Sequence, residues 1–373
     1  MNYKSSMFNR IVINGDELIL YNAGKGVSSI RRVDNDKSSK VANWLSGRDI
    51  CCYNDPDFEK LKNLGYIIPD YVDEKAYRDV LYMEHLSDNR LHLVVHTTQA
   101  CNFRCKYCYM DFKSKMIEKE VQDGIINFIR KNIQKYKGVQ ISWFGGEPLL
   151  NMQAISYISK EVKEICKSQK KPYTAIVTTN GYYLTPDNID TLLSCNVTHI
   201  AVTVDGIKEK HDSLRVLKNG QPTFDTIISN LIYIRDYIKT RALTVSIRSN
   251  LTKAHLKELG DYYRFYNNLF GNDSRFSLFI KPVSDYGGEI VHLLEGEFIK
   301  DFDTIYDQLS SVIDGITFRS NFIDLEIGGT TCTAKKFNKF TIGCDGSVHK
   351  CDEDLDCPIG KLYANGEMKI DSY

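Results

Sequence analysis

The chain carries no surplus of charge of either sign. Lysine plus arginine number 48 and aspartate plus glutamate number 48, which argues against a general nucleic-acid binder, a class with a basic excess. It has no run of about 18 apolar residues, so no membrane-spanning helix is expected. Its first ten residues lack the apolar core of an export signal, and the expected location is cytoplasmic. Without export, the eleven cysteines point to metal ligation rather than disulfides. Apolar residues make up 42% of the 373 positions, enough for two or three domains or one barrel with appendages.

What is present is uneven. Seven cysteines fall in two groups, Cys101, Cys105 and Cys108, and then Cys332, Cys344, Cys351 and Cys357. Cys51, Cys52, Cys166 and Cys195 read as incidental core or surface residues with no assigned chemistry. The first group supplies three thiolates, not four. Thiolates are soft ligands for zinc or iron–sulfur clusters. A structural site is closed by a fourth protein ligand, whereas an open position is where a metal does chemistry. Three thiolates at the spacing C-x3-C-x2-C can hold three irons of a 4Fe–4S cube and leave the fourth free. A zinc knuckle or a trio of core cysteines is the plainer alternative.

Residues 1–85 pattern as strand, strand, strand, helix, helix. Two strands flank an Asn14-Gly15-Asp16 turn, and a third covers about residues 27–33. Helical patches lie at 40–45 and from Asp55-Pro56 to a Gly65 C-cap, with Asp55 as N-cap and Pro56 at the first helical position. A short strand exits at 66–69. This pattern is similar to the winged-helix module called the RiPP recognition element, which binds the leader of a ribosomally made peptide by strand addition. An ordinary extension packed on the next domain is the alternative.

From residue 91 strands and helices alternate. β-Branched, apolar runs at 91–97, 138–144, 173–179, 198–204, 243–248 and 275–280 are separated by segments of helical periodicity, and a long helical region follows at 298–312. Six β-α repeats imply a parallel sheet with helices outside. They are too few to close an eight-stranded barrel, so the expected fold is α/β, a partial (β/α)6 TIM-like barrel over residues 86–315. Functional groups should sit at the C-terminal strand ends.

Those ends carry polar motifs. Gly145-Gly146-Glu147-Pro148 follows the second strand, where two glycines permit close approach of backbone and Glu147 can accept from an ammonium. Thr179 and Asn180 end the third strand, with a turn role for Asn180-Gly181 equally good physics. Asp205-Gly206 ends the fourth and leads to His211-Asp212 and Arg215, a candidate bidentate carboxylate binder or a surface salt-bridge partner. Arg248 and Asn250 end the fifth.

Together, the C-x3-C-x2-C loop with Tyr107 before its last cysteine, the G-G-E-P segment and the D-G…H-D-x-x-R stretch resemble the radical S-adenosylmethionine (SAM) enzymes over about residues 91–282. The resemblance implies the partial barrel. It implies a 4Fe–4S cluster on Cys101, Cys105 and Cys108 whose free iron chelates SAM. It implies SAM contacts from Gly145, Gly146, Glu147, Pro148, Thr179, Asn180, Arg215, Arg248 and Asn250, with Asp205 as a candidate catalytic residue. One electron then cleaves SAM to methionine and a 5′-deoxyadenosyl radical.

In the tail, Asp345-Gly346 signals a hairpin flanked by Cys344 and Cys351. The arrangement of Cys332, Gly346 and Cys351 resembles the start of a SPASM domain, which carries auxiliary iron–sulfur clusters. The later cysteine-rich run is missing, so residues 316–373 are expected to hold one auxiliary 4Fe–4S cluster on Cys332, Cys344, Cys351 and Cys357. A four-cysteine zinc ribbon is the alternative. The resemblance implies a maturase of a leader-bearing peptide, forming a thioether, another cross-link or an oxidised side chain, with a flavodoxin or ferredoxin as reductase. An anaerobic sulfatase-type maturase making formylglycine is the second reading, and a non-catalytic zinc-binding adaptor the third.

Overall fold

The computed structural model describes residues 2–14, 17–23, 31–47, 54–86, 89–110, 112–288, 291–299, 305 and 332–371. The chain forms two compact units, residues 1–88 with 317–337 and residues 89–316 with 338–373.

In the first unit the elements run β1 (Tyr3–Ser5), β2 (Asn9–Asn14), β3 (Glu17–Asn22), β4 (Arg31–Val33), α1 (Asn35–Leu45), α2 (Pro56–Asn63), β5 (Ile67–Pro69) and α3 (Glu74–Leu86). β2, β3 and β4 form an antiparallel sheet in that order, and β1 pairs with β5. Leu18, Leu20, Val41, Trp44, Phe58, Leu61 and Tyr66 make its core, with Trp44 and Phe58 edge-on at 5.7 Å. The Asp55 carboxylate accepts from Asp57 N at 2.8 Å and caps α2, with Pro56 at its first position. Gly65 closes it at φ +81°, a left-handed position that suits glycine. The expected turn at 15–16, the start of the third strand at 27–30, and Cys51 and Cys52 lie outside the described residues. β1 and α3 have no counterpart in the sequence reading.

The second unit continues with β6 (Arg90–Thr98), β7 (Phe103–Cys105), α4 (Lys119–Asn132), β8 (Gly138–Gly145), α5 (Met152–Ser168), β9 (Tyr173–Thr179), α6 (Pro186–Ser194), β10 (Val197–Thr203), α7 (Lys208–Leu214), β11 (Arg215–Leu217), α8 (Phe224–Tyr237), β12 (Thr244–Leu251), α9 (Leu259–Phe270) and β13 (Phe276–Pro282). The tail adds β14 (Lys339–Ile342), β15 (Ser347–His349), β16 (Gly360–Leu362) and β17 (Met368–Ile370). One sheet runs β13-β12-β10-β9-β8-β6-β14-β15-β16-β17. Every neighbour from β13 through β14 is parallel and the last three pairings are antiparallel.

This is the mostly parallel α/β sheet that the alternating patterns predict. β6 and β8 are buried almost end to end, as a strand covered on both faces should be. α4 turns Val121, Ile125, Phe128 and Ile129 inward at helical spacing. Gly124 on the same helix lets the tail close in, since a Cβ there would stand 2.6 Å from the Tyr363 carbonyl oxygen. The helical region expected at 298–312 falls almost entirely outside the described residues. Among the described residues no helix is long and apolar enough to cross a membrane.

Candidate functional site

The cysteine loop is pinned on two flanks. On one, β7 pairs antiparallel with β11, which sets Arg215 opposite Cys105. Lys106 N donates to the Leu214 carbonyl at 3.0 Å and Lys218 N to the Asn102 carbonyl at 2.8 Å, extending that ribbon in both directions. On the other flank the end of β8 meets the start of the loop. Gly146 N donates to the Thr98 carbonyl and Glu147 N to the Ala100 carbonyl, both at 2.9 Å. A Cβ on Gly145 would stand 2.2 Å from Thr98 O, and one on Gly146 would stand 2.3 Å from Ala100 O. Both glycines are therefore required by the passage of the cysteine loop itself, and Gly145 also has φ +128°.

Cys101, Cys105 and Cys108 all line one open cavity with about 950 Å³ of empty space, part of it solvent. Burial raises all three thiol pKa values, that of Cys101 to about 12. A bare thiolate is thus disfavoured there, and a bound cation would restore it. Cys101 Sγ also receives the Phe103 N–H at 3.3 Å and faces Asn180 Nδ2 at 3.8 Å, the kind of donors that tune cluster sulfurs. Among the described residues no three His, Cys, Asp or Glu side chains already converge on one point. The fit of a cluster rests on the loop's placement and on its one buried and two half-buried thiols.

The strand ends complete the wall. Gly145 and Gly146 from β8, Thr179 and Asn180 from β9, and Arg248 and Asn250 from β12 line the same cavity, as does Arg215. Asn180 Nδ2 donates to Asn102 Oδ1 at 2.8 Å, and Arg248 Nε donates to Asn250 Oδ1 at 2.9 Å.

Two carboxylates singled out by sequence, Glu147 and Asp205, do not reach this wall. Glu147 is fully buried and accepts from Thr179 Oγ1 at 2.7 Å, Asn180 N at 2.7 Å and Leu149 N at 3.0 Å. It ties the end of β8 to the end of β9. Burial lifts its pKa against those three donors. Pro148 is buried beside it, and neither residue lines the cavity.

Asp205 is likewise fully buried. It accepts from Asn250 N at 2.7 Å and from the Tyr107 hydroxyl, and Arg215 Nε stands 3.9 Å away. Arg215 Nη1 donates to Tyr107 Oη at 2.6 Å and Asn250 Nδ2 to the same oxygen at 3.2 Å. Burial raises Asp205 above the ordinary carboxylate value, opposed by Arg215 and Tyr107. Asp205 is therefore a positioning residue that fixes Tyr107, Arg215 and Asn250. The partners of His211 are internal too: Asp205 N donates to Nδ1 at 3.1 Å, and Thr223 Oγ1 lies 3.0 Å from Nε2.

Other lining residues lie outside the set of site residues expected from sequence. Tyr107 was visible in sequence only as the aromatic before Cys108. Tyr286 follows the sixth strand, and Glu353 comes from the tail. The strand-end rule could have found Tyr286, but nothing local marks Glu353. In the tail, Cys344 is buried and its thiol donates to the His96 carbonyl at 3.2 Å. Cys351 is half-buried and its sulfur accepts from Glu353 N at 3.4 Å, while Cys357 and Cys332 are exposed.

Residues 95–262 match the radical SAM superfamily. The cysteine-type anaerobic sulfatase-maturating enzyme of Clostridium novyi (strain NT) is 24% identical over 285 residues, spanning 70% of this chain and 72% of that enzyme. Among solved structures, native anSMEcpe with bound AdoMet and Kp18Cys peptide superposes with a TM-score of 0.58 at 18% identity, covering 73% of this chain and 78% of that one. Streptococcus suis SuiB bound to S-adenosylmethionine gives 0.51 at 14% identity, covering 98% and 86%. At such identities these structural likenesses speak for the fold alone.

Proposed function

We propose that the chain, whose residues 95–262 match the radical SAM superfamily, is a radical SAM enzyme maturing a ribosomally made peptide. The observation that carries the proposal is the meeting of three thiols, two glycines and the ends of β9 and β12 in one cavity. Cys101, Cys105 and Cys108 would hold the 4Fe–4S cluster. When bound, the cluster and SAM supply hydrogen-atom abstraction by a 5′-deoxyadenosyl radical. The protein's task is positioning and exclusion of water. Gly145 and Gly146 would present their backbone to SAM, with Glu147 and Pro148 acting from behind. Thr179, Asn180, Arg248 and Asn250 offer the hydroxyl, amide and guanidinium groups for its ribose and carboxylate. Arg215, held by Tyr107 and Asp205, would set the charge facing the sulfurs.

The peptide reading draws on two further features. anSMEcpe has been solved with AdoMet and a peptide bound together, and the likeness to SuiB extends over 98% of this chain. In the first unit a cavity with about 440 Å³ of empty space lies beside β4, an edge strand of its sheet, with Val41 and Leu61 on the helical side and Lys37 and Lys60 at hand. An extended leader could add to that edge. Cys344, Cys351 and Cys357 of the second unit are the proposed ligands of one auxiliary cluster; Cys332, the fourth ligand expected from sequence, belongs to the first unit. The loop between Cys351 and Cys357 sends Glu353 into the wall of the main cavity, which suits a cluster placed near the substrate.

Anaerobic reconstitution followed by iron, sulfide and zinc analysis tests the cofactors. About eight irons support two cubanes; zinc without sulfide overturns the reading. Formation of 5′-deoxyadenosine under dithionite tests the barrel chemistry. Co-expression with candidate precursor peptides should give a mass loss of two hydrogens that needs Cys105. The sulfatase-maturase reading is favoured by the name of the Clostridium novyi relative, and conversion of a cysteine- or serine-bearing sulfatase peptide to formylglycine would establish it instead.

A further inference from the structure

The β7–β11 ribbon has two faces. Phe103, Cys105 and Arg215 are buried, whereas Lys106 and Lys218 at its ends are exposed. Residues 101–110 and 213–224 contain Arg104, Lys106, Arg215 and Lys218 and no aspartate or glutamate, in a chain whose 48 cations and 48 anions otherwise cancel. The two acids flanking residues 213–224 are already engaged. Asp212 accepts from Thr223 N and Phe224 N at the start of α8, and Asp225 pairs with Lys208. Arg104 folds back onto its own loop, donating to the Cys101 carbonyl at 3.0 Å and lying 4.1 Å from the Phe112 ring centre. Among the described residues neither Lys106 nor Lys218 has a carboxylate partner. Both are close to the thiols through the chain. Lys106 is the covalent neighbour of Cys105, and Lys218 N is hydrogen-bonded to the carbonyl of Asn102, the neighbour of Cys101.

We propose that this ribbon is the docking surface for an acidic one-electron carrier protein of the flavodoxin type. The inference rests on the radical SAM reading of the cysteine loop. Electron transfer weakens steeply with distance, so the carrier must approach the loop that holds the cluster, and the ribbon is that loop's outer side. Two exposed lysines without a carboxylate partner among the described residues steer an anionic partner there and fix its orientation. In the step itself one electron leaves the carrier's hydroquinone, which becomes the semiquinone. The cluster accepts it and passes from the 2+ to the 1+ state.

The test uses the full chain with its clusters reconstituted and a flavodoxin hydroquinone as donor. Cluster bleaching is followed by stopped flow at several salt concentrations. The double variant Lys106→Glu, Lys218→Glu should lower the second-order rate constant about tenfold or more at low salt and flatten its salt dependence. Lys106→Met, Lys218→Met should fall between it and the parent. Iron content and dithionite-driven 5′-deoxyadenosine should stay unchanged in both. An unchanged rate with flavodoxin overturns the docking proposal. Failure of the parent protein to cleave SAM under dithionite would instead overturn the reading on which it rests.

Discussion

Cysteines occur in two settings in the second unit, and the backbone separates them. Cys101, Cys105 and Cys108 sit on a loop held by the β11 ribbon on one side and by Gly145 and Gly146 on the other, and all three thiols open into one cavity. Cys344 lies in the turn between β14 and β15, Cys351 and Cys357 lie beyond β15, and the three part company. The first is buried as a donor to the His96 carbonyl, the second accepts from a neighbouring amide, and the third faces solvent. Residue type is the same; what differs is whether the surrounding chain holds the thiols in common. A loop pinned from both flanks presents ligands with little ordering left to do.

The largest effect should come from the pinned set. Alanine at Cys101, Cys105 or Cys108 should abolish 5′-deoxyadenosine formation and remove about four irons, measured by chromatography and iron assay. The same change at Cys351 or Cys357 should leave SAM cleavage without peptide largely intact. Asp205→Ala attacks the frame instead. It strands Arg215 and the Tyr107 hydroxyl in a buried site and should cost about 3–5 kcal/mol in urea unfolding. Gly146→Ala forces a methyl group against Ala100 O and should destabilise by about 1–3 kcal/mol. Iron should fall in the cysteine loop while the tail is spared.

The tail setting has its own weak point. His96 is fully buried, neither ring nitrogen has a partner, and burial lowers its pKa to about 4 from 6.5. Above pH 6.5 the ring is neutral folded or unfolded. As pH falls towards 4 the unfolded chain takes a proton that the folded one refuses, so stability is lost. Between pH 7 and pH 5 the loss should be about 2 kcal/mol, and His96→Leu should remove it, as urea titrations at the two pH values would show. The smallest effect is expected at exposed Cys357. Serine there should change stability by no more than about 0.5 kcal/mol, so any large loss of iron in that variant marks a ligand rather than a folding defect.

The six parallel strands were legible because each is a β-branched run between helical periods, and a doubly covered strand has no other way to bury its side chains. Their polar ends were legible for the same reason: Thr179, Asn180, Arg248 and Asn250 interrupt apolar runs where the chain leaves the sheet. The direction of a side chain at a strand end was not. Glu147 and Asp205 look like ligand-binding carboxylates in sequence, yet each turns inward to meet three hydrogen-bond donors or an ion pair. The β7–β11 ribbon was invisible because its strands are three residues each and pair across more than a hundred positions. The parallel union of β14 with β6 was hidden likewise, since four residues carry no periodicity that names a distant partner.

That union has a bearing on synthesis. β6 is the first strand of its sheet to leave the ribosome, whereas the segment that covers its outer side, Lys339–Ile342, emerges only after the other five parallel strands. Until then a nine-residue strand offers unsatisfied amides and carbonyls along one margin, an invitation to pairing with other nascent chains. Yield in cells should accordingly depend on translation passing Lys339–Ile342 without delay, and a fragment ending before Lys339 would be recovered mainly as aggregate.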